Sequence, residues 1–266
     1  MTDQPPQAPE AGLQAPPPPR RAQTTVAEYL ESLLVTVLLA LFGTSFVVQA
    51  FKIPSASMEG TLLIGDHLLV NKFIFGGRGG WYEKFLPYRP IERGDIIVFK
   101  YPFGDHQYFV KRVIGLPGDR LRIEDKQVYV NEKPLAELYV VHDDAAPYDP
   151  FNYDFPPTSR QPIPGTAVPE WAREIRKHIS GGELVVPAGK YFAMGDNRDR
   201  SSDSRFWGFV DREAIMGRPF LVYWSVNATS EDYRDSTFWS RAGWILHTLM
   251  HLPSRTRWNR MMRTVH

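Results

Sequence analysis

The sequence predicts a mainly β domain that follows one N-terminal transmembrane helix. Two observations lead to this fold class. One is a long apolar run at residues 33–51, and the other is a series of short β-forming runs between 62 and 226, separated by turns rich in Gly, Asp and Pro. The chain has 266 residues, of which 43% are hydrophobic and 23% are charged. It is long enough for one anchored domain of about 200 residues with a sizeable core.

The composition excludes several classes of function. The formal net charge is +1, and no basic stripe with interleaved aromatic residues stands out, so a nucleic-acid-binding protein is not expected. The chain contains no cysteine. A thiol nucleophile, a disulfide framework and a thiolate metal site are therefore excluded.

The N-terminal region is predicted to hold a tail and a membrane span. Residues 1–27 are rich in Pro, Gln and Ala, which favours a disordered, Pro-rich cytoplasmic tail. Residues 28–51 are predicted as the transmembrane helix, since their apolar run would extend about 28 Å at about 1.5 Å per residue. A cleaved secretory signal and a buried core helix are the alternatives. Arg20 and Arg21 precede the run and favour a cytoplasmic N-terminus.

Residues 52–266 are predicted to form the β-rich domain. Strands are expected at β-branched and aromatic runs, and a hairpin is expected around Glu124-Asp125-Lys126. Apolar residues at helical spacing in 239–252 indicate a helix that lies on the membrane surface or packs against the domain. The expected strands are 62–64, 68–70, 73–75, 96–100, 108–114, 121–123, 127–131, 184–186, 191–194, 206–210 and 219–226.

Residues 137–183 break this pattern and are interpreted as an insertion on the rim of the domain. They are rich in Asp, Pro and Tyr, show no strong period, and contain one possible helix at 169–179. His142, His178 and the pair Asp143-Asp144 could bind a metal ion, but nothing there has ligand spacing. A solvated loop is therefore favoured.

Ser57 is the candidate nucleophile. It lies in Ile53-Pro54-Ser55-Ala56-Ser57-Met58, just after the apolar run ends. A serine hydroxyl needs a neighbouring base to remove its proton during attack. In an extended segment the hydroxyls of Ser55 and Ser57 would point the same way, so that one could attack while the other donates to an oxyanion. A polar linker that leaves a membrane helix would have the same composition.

Lys111 is the candidate base. It is embedded in the β-forming run Tyr108-Phe109-Val110-Lys111-Arg112-Val113-Ile114, where a lysine either faces solvent on an edge strand or is buried for a function. A base that works near neutral pH needs its pKa lowered from about 10.4 by roughly three units, which corresponds to about 4 kcal/mol. Burial in an apolar strand would supply this environment.

A dense polar run at 195–205 lies between two predicted strands. Such a run is usually a solvated loop. It also contains Asp203 and Arg205, whose opposite charges are two positions apart and can share one side of an extended segment.

Four ordered blocks of the chain resemble bacterial type I signal peptidases, the membrane-anchored leader peptidases. The resemblance implies a barrel-like assembly of antiparallel β-sheets behind one N-terminal transmembrane helix. The domain at 52–266 would be catalytic and face the periplasm or the extracellular side, with an apolar surface resting on the membrane. The blocks are Pro54-Ser-x-Ser-Met58, Arg93-Gly-Asp-Ile-Ile-Val-Phe99, Lys111-Arg-Val-Ile-Gly-Leu-Pro-Gly-Asp119, and Gly195-Asp-Asn-Arg-Asp199 through Trp207-Gly-Phe-Val210.

The resemblance also implies roles for individual residues. Ser57 and Lys111 would form a Ser/Lys dyad, and the Ser55 hydroxyl with the Ser57 N–H would form the oxyanion hole. Ser201 would orient the lysine through a hydrogen bond. Structural support would come from Asp203 paired with Arg205 and with Arg112. The shallow apolar pockets for small substrate side chains would be lined by Ile53, Pro54, Met58 and Val110.

The implied activity is that of a serine endopeptidase that removes N-terminal signal peptides from exported preproteins through an acyl-enzyme intermediate. Neither a metal nor an organic cofactor is expected. The expected partners are signal-peptide-bearing preproteins and the lipid bilayer of the bacterial inner membrane. The protein is expected to be a monomer.

The chain departs from the family pattern in three places. Many relatives have Pro where this chain has Gly60, so the segment after the nucleophile is expected to be less rigid. A second membrane span, present in some relatives, is not expected because residues 1–27 cannot supply one. The insertion at 137–183 has no assigned counterpart.

Two other functions remain open at this point. One is a self-cleaving protease of the kind found in DNA-damage repressors, which resemble this dyad and fold but carry a DNA-binding helical domain where this chain has an apolar run. The other is a non-catalytic envelope module that uses the same β-scaffold to bind peptides.

Overall fold

A computed structural model describes residues 26–76, 88–104, 107–143, 145–158, 160–233 and 252–265. The described residues up to Leu41 and those from Phe42 onward form two compact units. Most of the predicted tail at 1–27 lies outside the described residues. The same is true of nearly all of the predicted helix at 239–252.

Among the described residues, the first unit consists of helix α1 as far as Leu41. The helix spans Val26–Phe42, a π-helical turn follows at Gly43–Val47, and the chain then enters a strand at Val48–Lys52. The leucine side chains of α1 are exposed. No helix within the described ranges is both long enough and apolar enough to cross a bilayer. The predicted helix at 28–51 is wrong at its C-terminal end, because residues 48–52 pair with the strand Asp66–Asn71.

The second unit is built from antiparallel strands, which we number along the chain. The strands are β1 Val48–Lys52, β2 Asp66–Asn71, β3 Ile96–Lys100, β4 Tyr108–Gly115, β5 Arg120–Glu124, β6 Gln127–Val130, β7 Lys133–Pro134, β8 Ile179–Ser180, β9 Glu183–Val185, β10 Lys190–Met194, β11 Val210–Asp211, β12 Ile215–Ser225 and β13 Arg263–Thr264.

These strands form two sheets. The larger sheet follows the order β1, β2, β12, β3, β4, β10 and β11, with β13 paired to β12. The smaller sheet follows the order β7, β6, β5, β9 and β8. All of these pairings are antiparallel, which confirms the predicted mainly antiparallel β fold.

The hairpin that joins β5 to β6 forms where it was predicted. Glu124 pairs with Gln127, which leaves Asp125 and Lys126 as a two-residue turn. Both turn residues have positive φ, +48° and +67°. This is the conformation that matches the twist of a tight hairpin.

Short helices interrupt the β structure. They are α2 Pro150–Tyr153, α3 Pro169–Glu174, α4 Ser204–Trp207 and α5 Leu252–Arg255. The helix expected at 169–179 is present as α3, which continues into a 3-10 helix at Ile175–His178. The strand expected at 206–210 is wrong, because Asp203 caps α4 by accepting a hydrogen bond from Arg205 N at 3.2 Å.

The core has two parts. The larger part lies around β3, β4 and β10 and includes five buried side chains from residues 137–183, so this segment is not confined to the rim. These side chains are Phe151, Phe155, Ala167, Trp171 and Ile175. The smaller part supports the candidate site and consists of Ile53, Met58, Leu62, Leu68, Ile96, Val222 and Val265.

Candidate active site

The nucleophile turn, residues 53–62, follows the terminal strand β1 and carries Ser57. A short 3-10 helix forms at Ala56–Met58, and Leu62 N donates to Met58 O at 2.8 Å. Met58 and Leu62 are each 1% exposed. Because the residues around Ser57 are packed in the core, the position of its hydroxyl is fixed by the fold rather than by a mobile loop.

Lys111 lies on β4 beside this turn. Its Nζ is 2.6 Å from Ser57 Oγ, within hydrogen-bonding distance. Lys111 pairs in register with Ile97 of β3, and the ring centroid of Phe109 on the same face is 5.5 Å from Nζ. Only 4% of Lys111 is exposed, which excludes the alternative of a solvent-facing lysine.

Burial changes the acid–base behaviour of Lys111. Loss of hydration lowers the pKa of Lys111 from 10.5 to about 8, against the opposing effect of the negative charges of Asp203 and Asp196. The positive charge of Arg205 also lowers it. At a pKa near 8, about one molecule in ten holds the neutral amine at pH 7, compared with about one in three thousand for an unperturbed lysine.

The loop at 195–203 lies directly against the nucleophile turn. Asn197 N donates to Ser57 O at 3.2 Å. A Cβ atom on Gly195 would lie 2.4 Å from that carbonyl oxygen and 2.2 Å from Ser201 Oγ, closer than real Cβ atoms come. The glycine at the start of this block is therefore what allows the loop and the turn to meet.

Asp203 and Arg205 form a fully buried ion pair. The pair is bidentate, with Arg205 Nε and Nη2 each 2.8 Å from a carboxylate oxygen of Asp203. Arg205 also donates to Asn152 Oδ1 and to Arg198 O, each at 2.7 Å. Burial opposes ionisation of Asp203, but the Arg205 charge and the hydrogen bonds from Arg205 and from Gly195 N outweigh it, so the pKa of Asp203 is lowered.

A second buried ion pair lies behind the turn. Arg112 Nε and Nη2 contact the carboxylate of Asp196 at 2.9 and 2.8 Å. Thr61 completes the group, because its hydroxyl donates to Asp196 Oδ2 at 2.6 Å and accepts from Arg112 Nη2 at 3.2 Å. The resemblance implied a pair of Arg112 with Asp203, whereas the bidentate pair described here joins Arg112 to Asp196.

Ser201 and Ser55 lie in different environments, one buried and the other exposed. Ser201 is 5% exposed, and its Oγ makes no hydrogen bond to the described residues, so the predicted hydrogen bond to Lys111 is not observed. Ser55 lies on the exposed side of the turn, with its Oγ 3.4 Å from Ser57 Oγ. The two hydroxyls of the Ser-x-Ser segment thus share one side of the chain.

Gly60 is required by its surroundings. Its φ is +104°, a conformation that the ring of a proline cannot adopt. A Cβ atom on Gly60 would lie 2.7 Å from Val141 Cγ2 and 3.2 Å from Tyr139 O. The backbone of Val141 bonds to Asp196 O and Arg198 N, so residues 139–141 tie the nucleophile turn to the loop at 195–203.

A cavity of about 350 Å³ opens at Ser57 and Lys111. Ile53, Pro54, Met58 and Val110, the predicted substrate-binding residues, all line it. Ser55 lies on its wall as well. The sequence did not identify the remaining lining residues, which are Phe51, Lys52, Tyr108, Phe109, Arg200 and Ser202.

The histidines singled out in the sequence lie in protein contacts. His142 Nδ1 is 3.1 Å from Asp199 Oδ2, and the ring of His178 stacks on Trp171 with a centroid distance of 6.0 Å. Among the described residues, no group of three or more Asp, Glu or His side chains is arranged to hold a metal ion.

Sequence reasoning missed Asp196 and Thr61 as supporting residues. Asp196 lies in the block that begins at Gly195, close to Arg198 in sequence. Nothing in that local pattern indicated that its partner would be Arg112, 84 positions away. Thr61 offered no signal, because its partner Asp196 is 135 positions away.

Comparisons with known proteins assign the chain first to a class: it is a serine peptidase, and thus a hydrolase. Residues 26–224 match the family described as signal peptidase, peptidase S26. The chain belongs to this family, which confirms the resemblance seen in the sequence. Both the self-cleaving repressor and the non-catalytic module are thereby set aside.

Three relatives that cover most of the chain are named signal peptidase I. The protein of Pseudomonas aeruginosa is 37% identical over 218 residues, covering 75% of this chain and 73% of the relative. That of Pseudomonas fluorescens is 36% identical over 214 residues, with coverages of 75% and 73%. The protein of Aquifex aeolicus is 35% identical over 254 residues and covers 84% of this chain and 94% of its own length.

Proposed function

We propose that this protein removes signal peptides from exported preproteins, with Ser57 as nucleophile and Lys111 as general base. The observation that carries the proposal is the 2.6 Å distance between Lys111 Nζ and Ser57 Oγ in a buried setting. Such a pair has the two features that an activated nucleophile needs, a base within hydrogen-bonding reach and an environment that favours the neutral form of that base.

The first half of the reaction forms an acyl-enzyme. Ser57 Oγ attacks the carbonyl carbon of the scissile peptide bond while its proton passes to the neutral Nζ of Lys111. The tetrahedral intermediate then collapses, the C–N bond breaks, and the ammonium of Lys111 returns the proton to the leaving amine. The signal peptide remains attached to Ser57 through an ester.

The second half hydrolyses this ester. Lys111 takes a proton from water as the water oxygen attacks the ester carbon. The bond to Ser57 Oγ breaks, and Lys111 returns the proton to that oxygen. The signal peptide leaves with a new carboxylate, and both side chains are restored.

The oxyanion of each tetrahedral intermediate would be stabilised by Ser55 and Ser57. The N–H of Ser57 lies in the first turn of the 3-10 helix at Ala56–Met58, where amide groups do not donate within the helix. Ser55 Oγ is 3.4 Å from Ser57 Oγ, which places a second donor beside the reacting oxygen. Donors that are held in place before the reaction stabilise developing charge effectively.

The substrate would lie in the cavity as an extended strand. Ile53 and Pro54 continue from β1, which is the terminal strand of its sheet, and Val110 lies on β4. A peptide can add to such an edge through its backbone, and side-chain pockets then give specificity. Ile53 and Met58 are 3% and 1% exposed, so they close the bottom of the pockets and favour small side chains.

We include membrane anchoring in the proposal, with the catalytic unit on the periplasmic side and the N-terminus in the cytoplasm. The leucines of α1 are exposed, and apolar residues continue beyond the helix to Phe51. The 17 residues of α1 extend only about 26 Å, less than the roughly 30 Å of a bilayer core. Retention of the protein in carbonate-washed membranes would test the anchor. We propose a monomer, because one chain supplies both reacting groups.

The test is cleavage of a purified precursor with Ala-x-Ala before its processing site, using the full chain in detergent. The wild type should release the mature protein at that site, as judged by the mass of both products. Ser57→Ala and Lys111→Met should abolish release while remaining folded. Lys100→Met is the matched control, since Lys100 is exposed at the end of β3. Unchanged cleavage by Lys111→Met would remove this lysine as the base.

A further inference from the structure

The C-terminal arm, residues 256–265, returns to the nucleophile turn from the far end of the chain. Its strand β13 pairs with β12, where Leu221 lies opposite Thr264. Val265 is 5% exposed and packs in the same core cluster as Met58 and Leu62. The arm lies beyond residue 224, where the family match ends.

Arg260 is the residue through which the arm makes polar contact with the turn. It is 8% exposed, and its Nη2 and Nε lie 2.6 and 3.2 Å from the carboxylate oxygens of Asp66. The same Nη2 donates to the carbonyl oxygen of Thr61 at 3.1 Å. Asp66 in turn accepts from Leu63 N at 2.9 Å, so both partners of Arg260 belong to or adjoin the turn.

Thr61 connects this contact to the candidate active site. Its carbonyl accepts from Arg260, and its hydroxyl binds Asp196 of the loop at 195–203. Its N–H donates to Met58 O at 3.1 Å, next to Ser57. All three polar groups of Thr61 are thus engaged four positions after the nucleophile, and Arg260 supplies one of the partners.

We propose that Arg260 is a positioning residue for the reaction, which holds the nucleophile turn so that Ser57 meets Lys111. The inference rests on the proposed function of Ser57. Arg260 does not touch the reacting atoms; it acts through Thr61 and Asp66. A displacement of a reacting group by about 1 Å can cost about 100-fold in rate, so a small relaxation of this turn would be measurable.

The chemistry of the side chain supports a geometric role. A buried ion pair contributes little net stability compared with apolar residues of similar volume, because removing both charges from water is costly. A guanidinium, however, can donate in several fixed directions at once, and here it spans the Asp66 carboxylate and the Thr61 carbonyl. The ammonium of a lysine is a single point and cannot reproduce that geometry.

The test compares Arg260→Lys with Arg263→Lys in the full chain. Arg263 lies on the same arm but is exposed, so its variant controls for the substitution. Acylation should be followed in single turnovers at several concentrations up to saturation with an Ala-x-Ala precursor, with active sites counted by a serine-directed acylating reagent. We expect Arg260→Lys to lower the rate per active site about 10-fold with KM nearly unchanged, because the residues that line the cavity are not altered.

The pH profile separates positioning from simple destabilisation. A loosened turn admits water to Lys111, so the apparent pKa of acylation should move upward in Arg260→Lys, whereas a lower fraction of folded protein would not move it. The charged groups that act on this lysine are Asp203, Asp196 and Arg205, and none of them is changed. A second variant, Asp66→Asn with Arg260→Met, removes both charges and avoids a buried unpaired carboxylate. It should show the same upward shift.

The outcomes distinguish the two proposals. A wild type that is not acylated at Ser57 overturns the proposed function and this inference with it. The inference alone is overturned by a different result. In that case the wild type is acylated, but the Arg260 variants show the same rate per active site and the same pH profile as Arg263→Lys.

Discussion

Lys111 Nζ and Ser57 Oγ lie 2.6 Å apart although the two residues are 54 positions apart in the chain. The contact joins the middle of a sheet strand to a turn that follows the terminal strand of the same sheet. Both residues are buried, so the distance is set by the packing of two core elements. The effect of this contact on the pH dependence of cleavage can be measured separately from the effect of burying Lys111 on the free energy of unfolding.

The first prediction concerns the pH dependence of cleavage. Only neutral Lys111 can accept the Ser57 proton, and burial holds the pKa of Lys111 at about 8. The value of kcat/KM should therefore rise about tenfold per pH unit below that pKa and level off above it. Measurement from pH 6 to 10 on one precursor would check this. A rate that is flat between pH 6 and 8 would contradict a lysine base.

The second prediction is that the same burial costs stability. The pKa of Lys111 falls from 10.5 unfolded to about 8 folded, so between these values the unfolded state binds more protons and stability rises with pH. Below about pH 8 the wild type carries the full penalty of about 3 kcal/mol, by order of magnitude. The stability gained by Lys111→Met should therefore be larger at pH 7 than at pH 10.

Urea unfolding at the two pH values would measure this difference, with Lys100→Met as the exposed control. Equal stability differences at pH 7 and pH 10 would show that the amine is hydrated in the folded protein.

The third prediction separates a buried ion pair from an exposed one. Asp203 and Arg205 are both fully buried, whereas the side chains of Lys190 and Asp211 are 39% and 54% exposed. Asp203→Asn leaves the Arg205 charge without its carboxylate and should cost about 3 to 5 kcal/mol. Asp211→Asn removes a solvated partner and should cost less than about 1 kcal/mol. Comparable losses in the free energy of unfolding would contradict the buried placement.

The loss of cleavage activity should follow the same order as the loss of stability, with Asp203→Asn more severe than Asp211→Asn. Asp203 Oδ2 accepts from Gly195 N at 3.0 Å, so its loss loosens the loop that contacts Ser57 O. Asp203→Asn is expected to lower kcat even at temperatures where it is folded, and Asp211→Asn is expected to match the wild type.

The strands were predictable where a local pattern agreed with the final environment. The run at 108–114 is now β4, and the hairpin turn at Asp125 and Lys126 formed as its residues indicated. The strand expected at 62–64 did not form. The apolar side chain of Leu62 packs in the core beside Met58, although the backbone of this residue does not belong to a sheet.

The site was predictable to the extent that its chemistry is local. The Ser-x-Ser segment, a lysine in an apolar strand and the pair of Asp203 with Arg205 were visible as short patterns. The support behind the turn was not. Arg260 meets Asp66 across 194 positions, and no local pattern in a sequence indicates which of many arginines folds back onto which carboxylate.

The last prediction tests the close packing of the loop at 195–203 against the nucleophile turn. A Cβ atom at Gly195 would lie 2.4 Å from Ser57 O, a backbone atom that cannot move without shifting the nucleophile. Gly195→Ala should therefore lower kcat strongly and reduce stability by about 1 to 3 kcal/mol, as overpacking does. Gly165→Ala is the matched control, because nothing lies within 4 Å of its added Cβ. Gly165 also lacks the positive φ that would strain an alanine. If Gly165→Ala lost as much activity as Gly195→Ala, the cause would be general destabilisation rather than displacement of Ser57.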